Sequence, residues 1–304
     1  MTAIDPRAET LATATAGAEA ASRTFTDPNR ARAAEPASDD LDGAYLAHFR
    51  IERRIGRGGM GEVYLATDLA LDRSVALKVL GREISDDTTA RDRFVREARA
   101  QARINHPNIC HIYFIGEQFG RLFFAMELVE GENLQQRVDR LGRIPHREAV
   151  ELTRMAAAGL AEAQKHGFTH RDVKPSNLLL DKHGVLKVAD FGLVDTVSRG
   201  EDRDGAIVGT PRYMAPEQSR GEPVDFRADM YALGVTLHHL VAGTPPFDGR
   251  TVADLVAQHL DDGRPRFADG TVVLDTLCDR LMAKRPADRF ASYEELLACL
   301  DNAR

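Results

Sequence analysis

Asp172, Lys174 and Asn177 lie in one short run, His170-Arg171-Asp172-Val173-Lys174-Pro175-Ser176-Asn177, and Asp190-Phe191-Gly192 follows about a strand length later. A carboxylate to orient an alcohol, a lysine for phosphate charge and two hard oxygen ligands for Mg²⁺ are what in-line phosphoryl transfer from a triphosphate requires. Taken singly, each is an ordinary polar loop residue. Their joint order, downstream of a glycine-rich loop and a lysine, makes coincidence very rare.

The upstream glycines read Gly56-Arg57-Gly58-Gly59-Met60-Gly61-Glu62-Val63. The GxGxxG letters alone are a weak signal, because a dinucleotide-binding turn shares them. That turn needs a helix directly after the glycines. Here Val63-Tyr64-Leu65-Ala66 reads as a strand, so the glycines belong in a hairpin, where the missing Cβ lets backbone amides approach phosphate oxygens. Lys78 stands in the apolar strand Val75-Ala76-Leu77-Lys78, where a charge needs a partner. The expected partner is Glu97, in the helical run Arg93-Phe94-Val95-Arg96-Glu97-Ala98.

Elements that would position these groups follow from periodicity. Strands are expected over Ile51–Ile55, Glu62–Ala66, Ser74–Leu80, Ile109–Phe114 and Leu122–Glu127, with one helix over Asp92–Ile104. Beyond Val129 the pattern turns helical, over Leu134–Arg140, Arg147–Lys165, Ala228–Val241, Val252–Asp261, Val272–Ala283 and Tyr293–Leu300. Residues 1–45 carry few large apolar side chains and are expected to be a disordered tail.

Composition narrows the function class. The 304 residues suffice for a substantial core, and the net charge of −7 argues against a nucleic-acid binder, which needs a basic field. The three cysteines, Cys110, Cys278 and Cys299, are widely spaced in apolar segments, as reduced core thiols of a cytoplasmic protein would be. No apolar run approaches the roughly 20 residues of a membrane helix, so no membrane span is expected.

On these motifs the chain resembles the protein kinases, and through Gly58-Gly59-Met60-Gly61 and Tyr213-Met214-Ala215-Pro216-Glu217-Gln218 it most resembles the bacterial eukaryotic-type Ser/Thr kinases. The resemblance implies an α+β bilobal fold: a small antiparallel β-rich N-lobe with one main helix (49–129) and a larger, mainly helical C-lobe (130–303). It implies ATP and Mg²⁺ as cofactors, proteins with Ser/Thr acceptors as substrates, and a homodimer for autophosphorylation. Asp172 would orient the acceptor hydroxyl, Lys174 would neutralise the γ-phosphate, and Lys78, held by Glu97, would meet the α- and β-phosphates. Asn177 and Asp190 would hold the metal. The nucleotide would lie against Ile55, Gly56, Arg57, Gly58, Gly59, Met60, Gly61, Glu62 and Val63, with Val63, Ala76 and Leu179 sandwiching the ring. Met126 would line the back of that pocket, and Glu127, Leu128 and Val129 would be the hinge. Thr210 would help present the acceptor, Glu217 would pair with Arg289, and Asp229 would brace the catalytic loop.

Two departures from the family pattern bear on regulation. Between Arg199 and Gly209 there is no Ser, Thr or Tyr, and Glu201, Asp202 and Asp204 stand there instead. One reading is that a carboxylate partly replaces an activating phosphate, and the other is phosphorylation at Thr196 or Ser198. Gln101 occupies a position that is usually apolar, one turn after Glu97 against Phe191, which implies a less firmly held helix. A pseudokinase scaffold is disfavoured by the complete set Lys78, Glu97, Asp172, Asn177 and Asp190. A small-molecule kinase is disfavoured by Lys174 and the Pro216-Glu217 segment ending.

Overall fold

The computed structural model describes residues 41–58, 61–81, 88–191, 211–261, 263–267 and 271–303; in the helix over 88–101 it describes the side chains of Arg91, Asp92, Val95, Arg96, Ala98, Arg99 and Gln101. Its first half is one antiparallel sheet of strands β1 (Tyr45–Leu46), β2 (Phe49–Gly58), β3 (Gly61–Asp68), β4 (Arg73–Leu80), β5 (Ile112–Gln118) and β6 (Arg121–Met126), in the order β1-β2-β3-β4-β6-β5. Helix α1 (Thr88–Gln101) lies between β4 and β5 in sequence.

β4 shows why this sheet is stable. Its period-2 alternation sends Val75, Leu77 and Val79 into a core with Phe49, Tyr64 and Phe123. Ala76 and Leu80 enter a second core with Met126, Cys110 and Phe124. The strand is thus buried on both faces, and Lys78, 5% exposed, is the one charge on it that is buried.

The second half is built around α5 (Phe226–Ala242), a helix apolar on nearly all sides and therefore central. Asp225 caps it by accepting from Arg227 N–H, and Gly243, at φ 82°, ends it in the left-handed conformation. Helices α2 (Leu134–Leu141), α3 (His146–Lys165), α4 (Pro216–Ser219), α6 (Val252–Asp261), α7 (Val272–Leu281) and α8 (Tyr293–Asn302) complete this lobe. The bilobal α+β architecture is the expected one.

Two features differ from the sequence reading. The ordered fold starts before Phe49: Leu41 and Leu46, 1% and 0% exposed, are buried in the upper core, and β1 pairs with Phe49 and Arg50. The expected tail boundary at 45 is therefore too late, because two isolated leucines give no periodic signal. Residues 1–40 lie outside the described residues. The helical half also holds a three-stranded antiparallel sheet, β7 (Gly131–Asn133), β8 (Leu178–Asp181) and β9 (Leu186–Val188), in the order β7-β8-β9. Strands of three or four residues are too short to show alternation.

Two buried imidazoles make the helical lobe sensitive to acid. Tyr213 and Tyr231 hydroxyls bond Nδ1 of His239 and His259 at 2.7 and 2.9 Å, and burial lowers both rings from 6.5 to about 4. The unfolded chain binds the protons first, so their contribution is complete above the unfolded value and is lost as pH falls toward the folded one. Urea unfolding at pH 5 is expected to show roughly 1–2 kcal/mol less stability per histidine than at pH 7. Equal stability at the two pH values would contradict this assignment.

Candidate active site

The loop 170–177 is fixed by Asp229 near the start of α5. His170 N–H donates to Asp229 Oδ2 and Arg171 N–H to Oδ1, each at 2.7 Å. Burial pushes the Asp229 carboxyl above its ordinary value, against the pull of His170 and of the two amides. The His170 ring is fully buried and lies against Phe191, with ring centres 4.6 Å apart and planes tilted by 43°. Asp172 N–H donates to its Nδ1 at 3.2 Å, so the proton belongs on Nε2, which donates to Ala189 O at 2.9 Å. His170 thereby ties the Asp172 loop to the segment that carries Asp190.

Asp172, Lys174 and Asn177 converge as their spacing predicts. Lys174 Nζ lies 2.7 Å from Asp172 Oδ2. Asn177, on a single 3₁₀ turn over Pro175–Asn177, donates from Nδ2 to the Asp172 carbonyl at 2.8 Å and to Oδ2 at 3.0 Å. Two donors therefore fix one edge of the Asp172 carboxylate. They also fix the Asn177 carboxamide, whose Oδ1 is the oxygen left for a hard cation.

Lys78 reaches across from β4 to Asp190 Oδ1 at 2.6 Å. Burial pushes the Asp190 carboxyl up, but the Lys78 ammonium outweighs it and holds the carboxyl below the ordinary range. Arg171 and Asp190 both adopt left-handed backbone, at φ 65° and 59°, a conformation that costs a residue other than glycine about 1–2 kcal/mol. The bonds from Asp229 and Lys78 hold them there. The side chain of Glu97, the expected partner of Lys78, lies outside the described residues.

The glycine loop is a hairpin. β2 and β3 remain paired out to Gly58↔Gly61, and β3 follows directly, so no helix opens after the glycines. Gly61 has φ 145°, and a Cβ there would stand 2.1 Å from Val79 O, so this position accepts only glycine. Glu62 is held by Tyr64 and Arg54, and Ile55 is 42% exposed at the outer end of β2. Gly59 and Met60 lie outside the described residues. Val63, Ala76, Met126, Leu128, Val129 and Leu179 share one apolar cluster with Ala189, which brings the residues proposed for the adenine pocket together.

The segment after the catalytic loop is anchored as expected. Gln218 Nε2 donates to Arg171 O at 3.1 Å, while Glu217 and Arg289 form a buried bidentate pair at 2.6 and 2.8 Å. Thr196, Ser198, Glu201, Asp202, Asp204 and Thr210 lie outside the described residues, and with them the phosphate-substitution question. Gln101 is buried, 5% exposed. The bridging roles of His170 and Gln218 were not read from the sequence. No local pattern marks them, since their partners lie far away along the chain.

Comparison with known proteins agrees with this geometry. The protein kinase domain profile matches residues 49–298. The chain is 36% identical over 280 residues to Serine/threonine-protein kinase pkn3 of Myxococcus xanthus, covering 86% of this chain and 51% of that protein. It is 39% identical over 257 residues to Serine/threonine-protein kinase PknB of Mycolicibacterium smegmatis, covering 81% and 41%. It spans about half the length of the first of these relatives and 41% of the second. The crystal structure of the Mycobacterium tuberculosis PknI kinase domain superposes with a TM-score of 0.69 at 34% identity, covering 86% of this chain and 98% of that one. With the kinase domain profile matched over residues 49–298 and relatives 36% and 39% identical over most of its length, the chain belongs to the protein kinase family.

Proposed function

We propose that this chain transfers the γ-phosphate of ATP to Ser/Thr hydroxyls of proteins. The convergence of Lys174 and Asn177 on one oxygen of Asp172 carries the reading. That arrangement presents the rest of the carboxylate to an acceptor hydroxyl and places a cation beside it. Asp172 orients the hydroxyl and receives its proton, and the Lys174 ammonium faces the charge on the transferred group. Lys78, now on Asp190, supplies the cation for the nucleotide phosphates.

The donor set fits Mg²⁺: a carboxylate oxygen of Asp190 and the Asn177 amide oxygen, whose nitrogen is already committed to Asp172. When bound, the metal neutralises charge on the phosphate oxygens. The adenine would lie in the apolar cluster around Ala76, Val63 and Leu179, with hydrogen bonds to the backbone of 127–129. The names of the relatives support serine and threonine as acceptors, and Lys174 agrees with them. Among the described residues no helix is long and apolar enough to cross a membrane. The free thiols Cys110, Cys278 and Cys299 suit a reducing compartment such as the cytoplasm.

Degenerate peptide libraries fixed at Ser, Thr or Tyr, offered with Mg·ATP, test acceptor class. Label on the Ser and Thr libraries only is expected, and label on the Tyr library alone would refute the assignment. A homodimer that phosphorylates itself would show as label on this chain whose rate rises with its concentration.

A further inference from the structure

The junction between the two lobes holds an ion pair that the catalytic machinery does not use. Lys187, on β9, lies 2.8 Å from Oε1 of Glu127, the residue that follows β6. The two side chains are 15% and 25% exposed, so the pair is largely shielded from water and salt. Around it the backbone of 108–111 stitches the lobes together. Cys110 N–H donates to Val188 O and Val188 N–H to Asn108 O, each at 2.9 Å. Asn108 Nδ2 donates to Leu186 O at 2.7 Å, and Glu127 N–H donates to His111 O at 2.9 Å. Within β8–β9, Lys187 stands opposite Leu179, the proposed floor of the adenine pocket.

We infer that Glu127 and Lys187 form an electrostatic clasp that fixes the hinge against the floor of the cleft, with Lys187 a positioning residue for the nucleotide. The stretch 108–111 already holds Glu127 on the upper side: Glu127 N–H donates to His111 O, His111 N–H to Glu127 Oε2 at 3.4 Å, and Cys110 Sγ to Glu127 O at 3.5 Å. The clasp adds the hold from the lower sheet, so that the Glu127 carboxylate is tied to both lobes and turning of 127–129 about Met126 is resisted from either side. A nucleotide that uses the backbone of 127–129 then meets groups already in place, which lowers the ordering cost of binding. The nucleotide part of this inference rests on the proposed function; the mechanical part does not.

Two measurements on Lys187→Met, Lys187→Arg and the charge swap Glu127→Lys/Lys187→Glu separate these parts: hydrogen exchange of the 127–129 amides, and the affinity for Mg·ADP by calorimetry. In Lys187→Met, exchange at 127–129 is expected to rise and Mg·ADP affinity to fall, each about five-fold, as for a partly buried pair. Lys187→Arg is expected to stay within about two-fold of wild type, and the swap to recover most of the loss. Unchanged exchange in Lys187→Met overturns the clasp. So does a fall in affinity with no change in exchange, which would place Lys187 in direct contact with the nucleotide. If the wild type binds no Mg·ADP while exchange still rises in Lys187→Met, the clasp stands and the nucleotide reading of the cleft falls.

Discussion

Replacing Arg289 by methionine is expected to destabilise the protein by about 3–5 kcal/mol, read as a fall in the urea midpoint at unchanged slope. Arg289 and Glu217 are each 2% exposed, and both guanidinium NH₂ groups meet the carboxylate. The remaining capacity of the guanidinium is used as well. Its Nε donates to Ala283 O at 2.8 Å and Nη1 to Arg227 O at 2.7 Å, while the group lies 4.9 Å over the Tyr231 ring. Methionine would replace the volume and leave a buried carboxylate with no cation. The paired change Glu217→Gln with Arg289→Met is expected to lose less than the sum of the single changes, because it removes the stranded charge. A loss below about 1 kcal/mol in Arg289→Met would reduce the pair to the worth of a surface bridge. Since Gln218 bonds the Arg171 carbonyl, the lost anchor should also loosen the catalytic loop.

Asp172→Asn is expected to lower kcat by about 10²–10⁴-fold while leaving Mg·ATP affinity within a few-fold of wild type. Asparagine keeps the size of the side chain but replaces an acceptor edge with a carboxamide. That amide would meet two donors, Lys174 Nζ and Asn177 Nδ2, which now share Oδ2, and it cannot receive the acceptor proton. Single-turnover transfer beside calorimetric binding separates the chemical step from affinity. A kcat within about ten-fold of wild type would remove Asp172 from the chemistry.

The chemistry-bearing residues were legible because the loop is local: Asp172, Lys174 and Asn177 meet within one turn, and the chain can hardly place them elsewhere. β4 and α5 were legible through runs of buried apolar residues. What the sequence concealed is non-local or very short. β7, β8 and β9 have three or four residues each, yet they carry Leu179 and Lys187 to the cleft. The Leu41–Leu46 segment looked like the end of a polar tail, and its burial depends on a gap in the upper core that only the folded sheet defines. Pairs such as Glu127–Lys187 and Tyr213–His239 join residues far apart in the chain, and a single sequence holds no sign of them. The contact of Lys78 with Asp190 is of the same non-local kind. Its expected partner Glu97 has a side chain outside the described residues.

The most direct test of the proposed activity is to incubate purified wild-type protein and Asp172→Asn with Mg·ATP and a mixed Ser/Thr peptide acceptor, then locate phosphate by mass spectrometry. Phosphoserine or phosphothreonine formed by the wild type and absent from Asp172→Asn is the expected result. No transfer by a wild-type protein that binds Mg·ATP, or equal transfer by both proteins, would contradict it.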